Sequence, residues 1–537
     1  MRKKRSKRHS YFKILYNKKA PPRIKAEFWL FLIILFALAL RLYFFVGIVY
    51  VDEQDEGIYL TKAINTFEGN SDLSRYRNLG DRLPNPADAF DFRKMVYYPP
   101  SLMFSFFGIS EFSAIAFSLI YSLCSIIVIF LLGKNFFNEK VGLISAFLLS
   151  FFPLDILLST RLMGDIIVAF SIWGGILLFF FLAEKRNSKT LYLLSGVTFG
   201  LGYLAKISVF LVIILFSVYF LYTRKVRHLH LLVLAGFLIV LFFEGMFYYT
   251  ETGDFFLNYH ISTGVYDYKL ENENTESISI IPNMFKIFYL DAAKQVYYIP
   301  VIFGMERINI LPINGFDYFG LFFYAALFSA AFLLYKKEKR SYLLTLFVVS
   351  ILLYLEFFPT FFRFFIDDIL INFIFLKKAR LLILLVIPSV ILISASLEKM
   401  KYKVSAIIIL ILIISSLIAV NTSREFYVSG VSSLREAAEF LKTQEKKPVY
   451  SDHLAITTLR MNLGDNWQIK SFPQTLPENA YMIDYGSRGM DISPDYIESL
   501  RPDYLYQPNE FRILGIIDNP AKKFGGNHKD LIIYSIG

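Results

Sequence analysis

Long apolar runs, repeated along almost the whole chain, are the feature that most restricts how this sequence can fold. A bilayer core about 30 Å thick is crossed by about 20 helical residues. Eleven candidate spans stand out, at residues 27–50, 112–133, 141–158, 165–183, 190–205, 207–222, 230–249, 316–335, 341–358, 381–397 and 404–420. The pattern predicts a polytopic α-helical membrane protein with about 11 transmembrane helices. The shorter run at 99–109 is expected to form a re-entrant or interfacial helix.

The composition supports a membrane protein and argues against a nucleic-acid partner. Of the 537 residues, 55% are hydrophobic and only 19% are charged, less charge than a soluble chain carries. The net charge of +11 is concentrated, since eleven Lys and Arg residues fall within the first 25 positions. Charge placed beside apolar runs sets membrane topology and does not form a groove for phosphate backbones. The basic segment 1–26 and the run after it are interpreted as an uncleaved anchor.

The short loops between the apolar runs set the expected orientation. If the N-terminus is cytoplasmic, the loops "KNFFNEK", "EKRNSK", "TRKVRH", "KKEKR" and "EKMKYK" are cytoplasmic as well, and all are rich in Lys and Arg. The long segments 51–111 and 250–315 then face outward, in agreement with the positive-inside rule. We therefore expect a multi-pass protein of the plasma membrane, with residues 27–424 as its transmembrane domain.

The last part of the chain, residues 425–537, differs in character from the rest. It contains the amphipathic sequence "LREAAEFLKTQ" and two strand-like stretches, "KPVYSDH" and "DLIIYSIG". An odd number of spans places this segment outside the cell. The sequence predicts a small extracytoplasmic α/β domain here.

Acidic residues follow the first span in "VDEQDEGIYLTKAINTF", which contains Asp52, Asp55 and Glu56. The apolar positions after them recur at helical spacing, which predicts an interfacial helix with Asp55 and Glu56 at its start. Other ionisable residues are expected at the same outer face; they are Arg161, Asp165, Lys206, Glu244 and Arg380. Any one of these is explained by an ordinary helix end, but their convergence on one face predicts a functional site.

This arrangement suits the transfer of a sugar from a lipid. An enzyme that faces outward has no nucleotide sugars, so its donor is expected to arrive on a membrane lipid such as a polyprenyl phosphate. A carboxylate would deprotonate the acceptor hydroxyl, and the anomeric carbon would be inverted. Cations would stabilise the departing phosphate, and we assign this role to Lys206, Arg380 and Arg161.

Several segments resemble motifs of the GT-C glycosyltransferases, such as protein O-mannosyltransferases and aminoarabinose transferases. "DEGIYLTKAINTFEGN" is similar to their opening motif, "YYPPSLMFSFFGI" to their proline stretch, and "STRLMGDII", "GLGYLAKI" and "ARLLILLVIP" to three later segments. The resemblance implies a polyprenyl-phosphate-sugar donor and an inverting mechanism. The implied site residues are Asp55 as catalytic base, Glu56 and Tyr59 in its motif, Asp165, Lys206 and Arg380.

The chain also departs from the family pattern. An extra acidic pair precedes the motif, which leaves Asp52 as an alternative base. Tyr97 belongs to a "YYPP" sequence that replaces a more usual His or Lys before the prolines. No metal or other cofactor is expected, because "DEQDE" lacks a D-x-D pair and the six His residues are scattered.

Three other functions stay open at this point. A secondary transporter or flippase also has many spans, although its charges normally lie near the midplane. A polysaccharide polymerase or ligase would use similar lipids, and a non-catalytic scaffold would keep the fold without the chemistry. The sequence leaves the acceptor open between protein, lipid and glycan, and the carrier open between dolichyl and undecaprenyl phosphate.

Overall fold

The computed structural model describes most of the helical core and parts of the C-terminal segment. The described residues are 25–45, 47, 54–70, 73, 92–224, 226–261, 319, 321–363, 379–451, 453–464, 466–471, 479–484, 512–517 and 531–536. Asp52 lies outside them, as do large parts of the two outer loops.

The described part of the chain is mainly helical. The helices, numbered in chain order, are α1 Ala26–Phe44, α2 Gln54–Phe67, α3 Lys94–Phe107, α4 Glu111–Phe136, α5 Glu139–Ser150, α6 Pro153–Ser159, α7 Gly164–Leu177, α8 Lys189–Tyr203, α9 Leu211–Thr223, α10 Leu231–Thr252, α11 Leu321–Tyr335, α12 Lys339–Arg363, α13 Ile383–Lys399, α14 Tyr402–Lys442 and α15 His453–Leu463. A π-helical turn, Leu178–Ala183, extends α7, and 3₁₀ turns precede α9 (Ile207–Phe210), α10 (His228–His230) and α13 (Ala379–Leu382).

Six of the described helical segments are long and apolar enough to cross a membrane. They are Ala26–Phe44, Glu111–Phe136, Gly164–Arg186, His228–Thr252, Arg380–Lys399 and Tyr402–Asn421. A seventh is counted if α5 and α6, which meet at an angle of 61°, form one broken span. The chain is thus a multi-pass membrane protein, but a count of eleven is not established, because several predicted spans form helices shorter than 18 residues, such as α8 and α11.

The segments Arg380–Lys399 and Gly164–Arg186 form the centre of the bundle. Within their most apolar windows, 89% and 78% of the residues are buried by protein, whereas α1 is only 17% buried and is therefore peripheral. A helix surrounded by protein can carry polar groups at its ends without exposing them to lipid. Two candidate site residues, Asp165 and Arg380, lie at the starts of these central segments.

Close helix contact fixes the position of α8 against α10. A Cβ atom on Gly196 would lie 1.9 Å from the Val233 carbonyl oxygen, and one on Gly236 would lie 2.2 Å from the Leu193 carbonyl oxygen. Only glycine permits the two backbones to approach this closely, as at other small-residue contacts between membrane helices. The contact brings the end of α8, next to Lys206, towards the half of α10 that carries Glu244.

A buried ion pair connects α1 to α4 and α6. The fully buried Arg41 places Nη2 2.5 Å from Oδ2 of Asp155 and donates from Nε to Ser122 Oγ at 2.8 Å. Ser122 Oγ also donates to Asp155 Oδ2 at 2.6 Å. Since a charge in an apolar interior is stable only with a partner, this pairing sets how the peripheral α1 docks on the bundle.

The C-terminal residues combine one long helix with a small mixed sheet. Helix α14 runs without interruption for 41 residues and contains the predicted domain boundary at 425. The strands are β1 Val449–Ser451, β2 Ile469–Ser471, β3 Ala480–Asp484, β4 Arg512–Ile517 and β5 Leu531–Ile536. Their order is β2-β1-β3-β5-β4, with β1 parallel to β2 and β3, and β5 antiparallel to β3 and β4. The two predicted strands are confirmed as β1 and β5.

The sheet packs on the helical bundle at the end where α2 lies. One buried cluster joins Phe44 of α1, Leu157 of α6 and Leu434 of α14 to Val449 and Ile533 of the sheet. The guanidinium of Arg435 also pairs with Glu111 of α4 at 2.8 Å. These contacts attach the sheet to the bundle; its position outside the membrane stays a prediction.

Replacing Arg41 by Met is expected to destabilise the protein by about 3–5 kcal/mol, because Asp155 would stay buried without its counter-charge. The double variant Arg41→Met/Asp155→Leu should recover much of this loss. Thermal unfolding in detergent measures both, with Lys140→Met at an exposed position as the control. A single variant as stable as the parent would show that the pair does not hold α1.

Candidate active site

Four helix starts and turns meet at one end of the bundle, and each carries an ionisable side chain. Asp55 and Glu56 lie in the first turn of α2, and Asp165 lies in the first turn of α7. Lys206 directly precedes the 3₁₀ turn before α9, and Arg380 lies in the turn before α13. Free backbone N–H groups and the helix dipole favour carboxylates at such N-terminal positions.

Asp55, Arg380, Asp165 and Lys206 form a continuous row of alternating charges, which we call the ion-pair row. Arg380 donates from Nη2 to Asp55 Oδ2, and its Nε lies 3.2 Å from Asp165 Oδ2. The other oxygen of Asp165 accepts from Lys206 Nζ at 2.7 Å. Arg380 and Asp165 are only 4% and 2% exposed, so these charges depend on one another more than on water. The convergence predicted for these four residues is observed.

Glu56 lies beside the row and fixes the turn between α6 and α7. It is fully buried, accepts from the backbone N–H of Leu162 at 2.9 Å, and places Oε2 3.3 Å from Arg161 Nε. Arg161 therefore meets Glu56, whereas Lys206 and Arg380 meet Asp165. The predicted cations thus occupy two adjoining sets of ion pairs.

Tyr59 stands one helical turn after Asp55 and is joined by a residue that sequence reasoning missed. Arg93 donates from Nη1 to the Tyr59 hydroxyl at 2.5 Å, and its guanidinium lies 5.9 Å from the ring centroid. Burial raises the pKa of the Tyr59 phenol well above its usual value, with Arg93 opposing the rise and Asp55 adding to it. The phenol is therefore a neutral partner for Arg93. A lone Arg before the "YYPP" stretch gave no spacing signal that could have identified it.

The other two predicted residues, Glu244 and Tyr97, belong to a second group around Tyr248. Glu244 Oε1 accepts from Asn258 Nδ2 at 2.9 Å and from the Tyr248 hydroxyl at 3.3 Å. Tyr97 is buried in the same neighbourhood, where its phenol interacts electrostatically with Tyr248. Lys94, directly after Arg93, also belongs to this group.

The cations in and beside the ion-pair row outnumber the carboxylates in and beside it. Among the described residues, the cations are Arg93, Arg161, Lys206 and Arg380, and the carboxylates are Asp55, Glu56 and Asp165. A buried site with an excess of cations is suited to an anionic ligand such as a phosphate. Asp55 and Asp165 lie among these cations as candidate proton acceptors.

Comparison with known proteins agrees with this geometry. Residues 94–249, which include the starts of α3 and α7 and all of α8, match the model of a family described as dolichyl-phosphate-mannose-protein mannosyltransferase. No curated protein sequence matches the chain.

Solved structures show what fold this is. ArnT from Cupriavidus metallidurans in its apo state aligns with a TM-score of 0.55 and 14% identity, covering 95% of this chain and 98% of that one. The same protein bound to undecaprenyl phosphate aligns with a TM-score of 0.53 and 13% identity, over 95% and 98% of the two chains. An oligosaccharyltransferase from Archaeoglobus fulgidus aligns more loosely, with a TM-score of 0.47 and 13% identity over 94% and 72%.

The protein is therefore a polytopic membrane protein with an ArnT-like fold. The resemblance to the GT-C glycosyltransferases found in the sequence is confirmed by this fold and by the match of residues 94–249 to the mannosyltransferase family model.

Glu56 supplies a test of how the site is held together. Glu56→Gln would remove the carboxylate of the buried Glu56–Arg161 pair, so a loss of about 3–5 kcal/mol of unfolding free energy is expected. The double variant Glu56→Gln/Arg161→Met should be more stable than the single one. Chemical denaturation in detergent micelles measures both against the exposed-site control Glu139→Gln. If the single and double variants unfold alike, the two side chains are not coupled.

Proposed function

We propose that this protein transfers a sugar from a polyprenyl phosphate to an acceptor at the outer face of the membrane, with inversion at the anomeric carbon. The observation that carries the proposal is the buried ion-pair row, placed where helix starts converge in a GT-C fold. The row combines carboxylates that can accept a proton with cations that can hold a phosphate. Both are needed at one place for this reaction.

Lys206 and Arg380 are the proposed ligands of the donor phosphate, with Arg161 as the third cation. Lys206 is the most exposed member of its pair, with 15% of its side chain accessible against 1% for Asp165. An incoming phosphate can therefore reach its ammonium while Asp165 keeps it in place. A relative of the same fold is known bound to undecaprenyl phosphate, and this supports a lipid phosphate as the ligand here.

Asp55 is the proposed base in a single displacement. The acceptor hydroxyl gives its proton to Asp55 as its oxygen forms a bond to the anomeric carbon. The bond from that carbon to the phosphate oxygen breaks, and the polyprenyl phosphate leaves with the electron pair. Arg380 and Lys206 stabilise the charge that develops on the phosphate. Asp52 stays the alternative base.

Exchange of ion-pair partners would prepare Asp55 for this role. Before the donor binds, Arg380 is hydrogen-bonded to Asp55 and occupies one of its carboxylate oxygens. A phosphate competes for the same guanidinium and draws it away from Asp55. The Asp55 oxygen is then free to accept the proton of the acceptor hydroxyl, which couples binding to chemistry.

The reaction is proposed to need no divalent metal. A metal ion in such a site neutralises phosphate charge and activates the leaving group. Arg380 and Lys206 supply that positive charge themselves, and each carboxylate of the row already has a cation as its partner. The carrier, the sugar and the acceptor class are left open by these residues.

Asp55→Asn is expected to lower sugar transfer by about 10²–10⁴-fold, because the general base is lost. The assay measures transfer from radiolabelled polyprenyl-phosphate sugars by the purified protein in lipid, with EDTA in parallel and Glu139→Gln as the control. Transfer should survive EDTA. Unchanged transfer by Asp55→Asn would assign the base to Asp52, and a parent protein that binds donor but transfers nothing would favour the scaffold function.

Lys206→Met is expected to weaken the binding of undecaprenyl phosphate by about 10–100-fold, since one charge-assisted hydrogen bond to the phosphate is lost. Titration of the protein in nanodiscs with the lipid, followed by native mass spectrometry, measures the dissociation constant. The exposed Lys140→Met is the matched control. Equal affinities for Lys206→Met and Lys140→Met would remove Lys206 from the phosphate site.

A further inference from the structure

The second polar group contains an amine, that of Lys94, with no hydrogen-bond partner among the described residues. Lys94 Nζ lies 3.2 Å from the centroid of the Phe247 ring and 3.9 Å from that of Tyr248. In the described part of the chain, its recorded contacts are these two rings and the longer-range charges of Glu244 and Glu251, with no hydrogen-bond acceptor. Ring faces hold the cation in place but satisfy none of its three N–H bonds.

Glu244 offers the complementary acceptor. It is 8% exposed, and the hydrogen bonds from Asn258 and Tyr248 both reach Oε1. Oε2 therefore keeps its lone pairs for another donor. Asn258 also donates to the Tyr203 hydroxyl oxygen at 3.1 Å, which leaves the proton of that phenol to point elsewhere. A carboxylate buried beside a membrane is costly, and such groups normally line a cavity with a function.

Exposed aromatic surface borders these polar groups. Tyr98 and Phe247 are 37% and 36% exposed, and the Tyr98 ring packs beside Tyr97 at a centroid distance of 5.1 Å. Lys94 carries a basic group and Glu244 an acidic one, so an anion is disfavoured beside Glu244 and a cation beside Lys94. A neutral ligand with many hydroxyl groups meets neither penalty. It can donate to Glu244, accept from Lys94 and Tyr203, and lay its C–H face on a ring.

The group adjoins the ion-pair row through the start of α3. Arg93 and Lys94 are consecutive, and Arg93 bonds to Tyr59 in the first helix of the row. The Met95 backbone N–H donates to the Leu204 carbonyl at 3.2 Å, so α3 begins beside the turn that carries Lys206. A sugar held at this group would thus lie next to a phosphate bound by Lys206.

We propose that Lys94, Glu244 and Tyr203 form a subsite that binds the hydroxyl groups of a sugar ring. The inference rests on the proposed function, and it adds residues that recognise the sugar itself. The ring belongs either to the lipid-linked donor or to a glycan acceptor, because both present the same hydroxyl pattern. The proximity of Lys206 favours the donor.

Protection of Lys94 from an amine-specific acylating reagent tests the subsite without any transfer assay. Burial lowers the pKa of Lys94 to about 7, so the reagent finds a reactive neutral amine there at neutral pH. The full chain in nanodiscs is labelled with and without methyl glycosides of the common hexoses, N-acetylhexosamines and pentoses. Labelling is quantified at Lys94 and, as an internal control, at the exposed Lys140. Protection by at least one glycoside at Lys94 alone is expected; no protection by any of them overturns the proposal.

Lipid binding then identifies the source of the ring. Undecaprenyl phosphate is compared with its mannosyl, glucosyl and aminoarabinosyl derivatives. If the ring belongs to the donor, Glu244→Gln is expected to weaken the binding of one of the derivatives by about 10-fold. The affinity for undecaprenyl phosphate without a sugar should not change. If the variant binds the lipid with and without its sugar equally more weakly than the parent, the proposed subsite is wrong. Glu244 would then act in phosphate binding or in folding.

Two further results separate the subsite from the proposed function. Glycoside protection without any preference among the lipids assigns the ring to a glycan acceptor. Glycoside protection without any lipid binding upholds the subsite while the lipid-donor function fails. The exposed-site variants Lys140→Met and Glu139→Gln should fold like the parent and serve as the references for Glu244→Gln.

Discussion

The pairing of Arg380 with two carboxylates is the interaction on which the site depends. One guanidinium reaches Asp55 at the start of α2 and Asp165 at the start of α7, and Asp165 in turn holds Lys206. Each of these charges alone would be too costly to bury beside a bilayer, but together they compensate one another. The row therefore fixes the relative position of α2 and two central segments of the bundle. Its cations are the ones proposed to bind the donor phosphate.

Location at helix starts explains how so many charges coexist at one end of an apolar bundle. The carboxylates occupy first turns, where free N–H groups and the dipole favour negative charge, and the cations lie in the turns between helices. The helices themselves are almost entirely apolar, so the polar groups are confined to a thin layer. In the proposed orientation, such a layer would meet lipid phosphates on one side and water-borne hydroxyl groups on the other, as the proposed transfer requires.

The sequence allowed the row to be predicted because each of its residues borders an apolar run on the same expected side of the membrane; they are Asp55, Asp165, Lys206 and Arg380. Topology alone brings such residues to one face. Arg93 and Lys94 were not predicted as site residues, because they follow a polar loop without periodicity. Only their contacts with α2 and α10 in the structure identify them. The count of eleven spans is not established, because composition does not distinguish a 15-residue helix inside the bundle from one that crosses it. The polar stretch after residue 420 was interpreted as the end of a span, but α14 continues through it to Lys442.

The two residues at the start of α3 contact two neighbouring groups of side chains. Arg93 donates a hydrogen bond to Tyr59, beside the ion-pair row, whereas Lys94 lies against the rings of Phe247 and Tyr248 on α10. One peptide bond thus connects the charged layer that suits a phosphate to the mixed polar and aromatic group that suits a sugar. Because α3 contacts the turn before Lys206 as well, a shift of its start would move both groups together. Phosphate and sugar would then be positioned by the same short segment, which keeps the bond between them at a fixed place relative to Asp55.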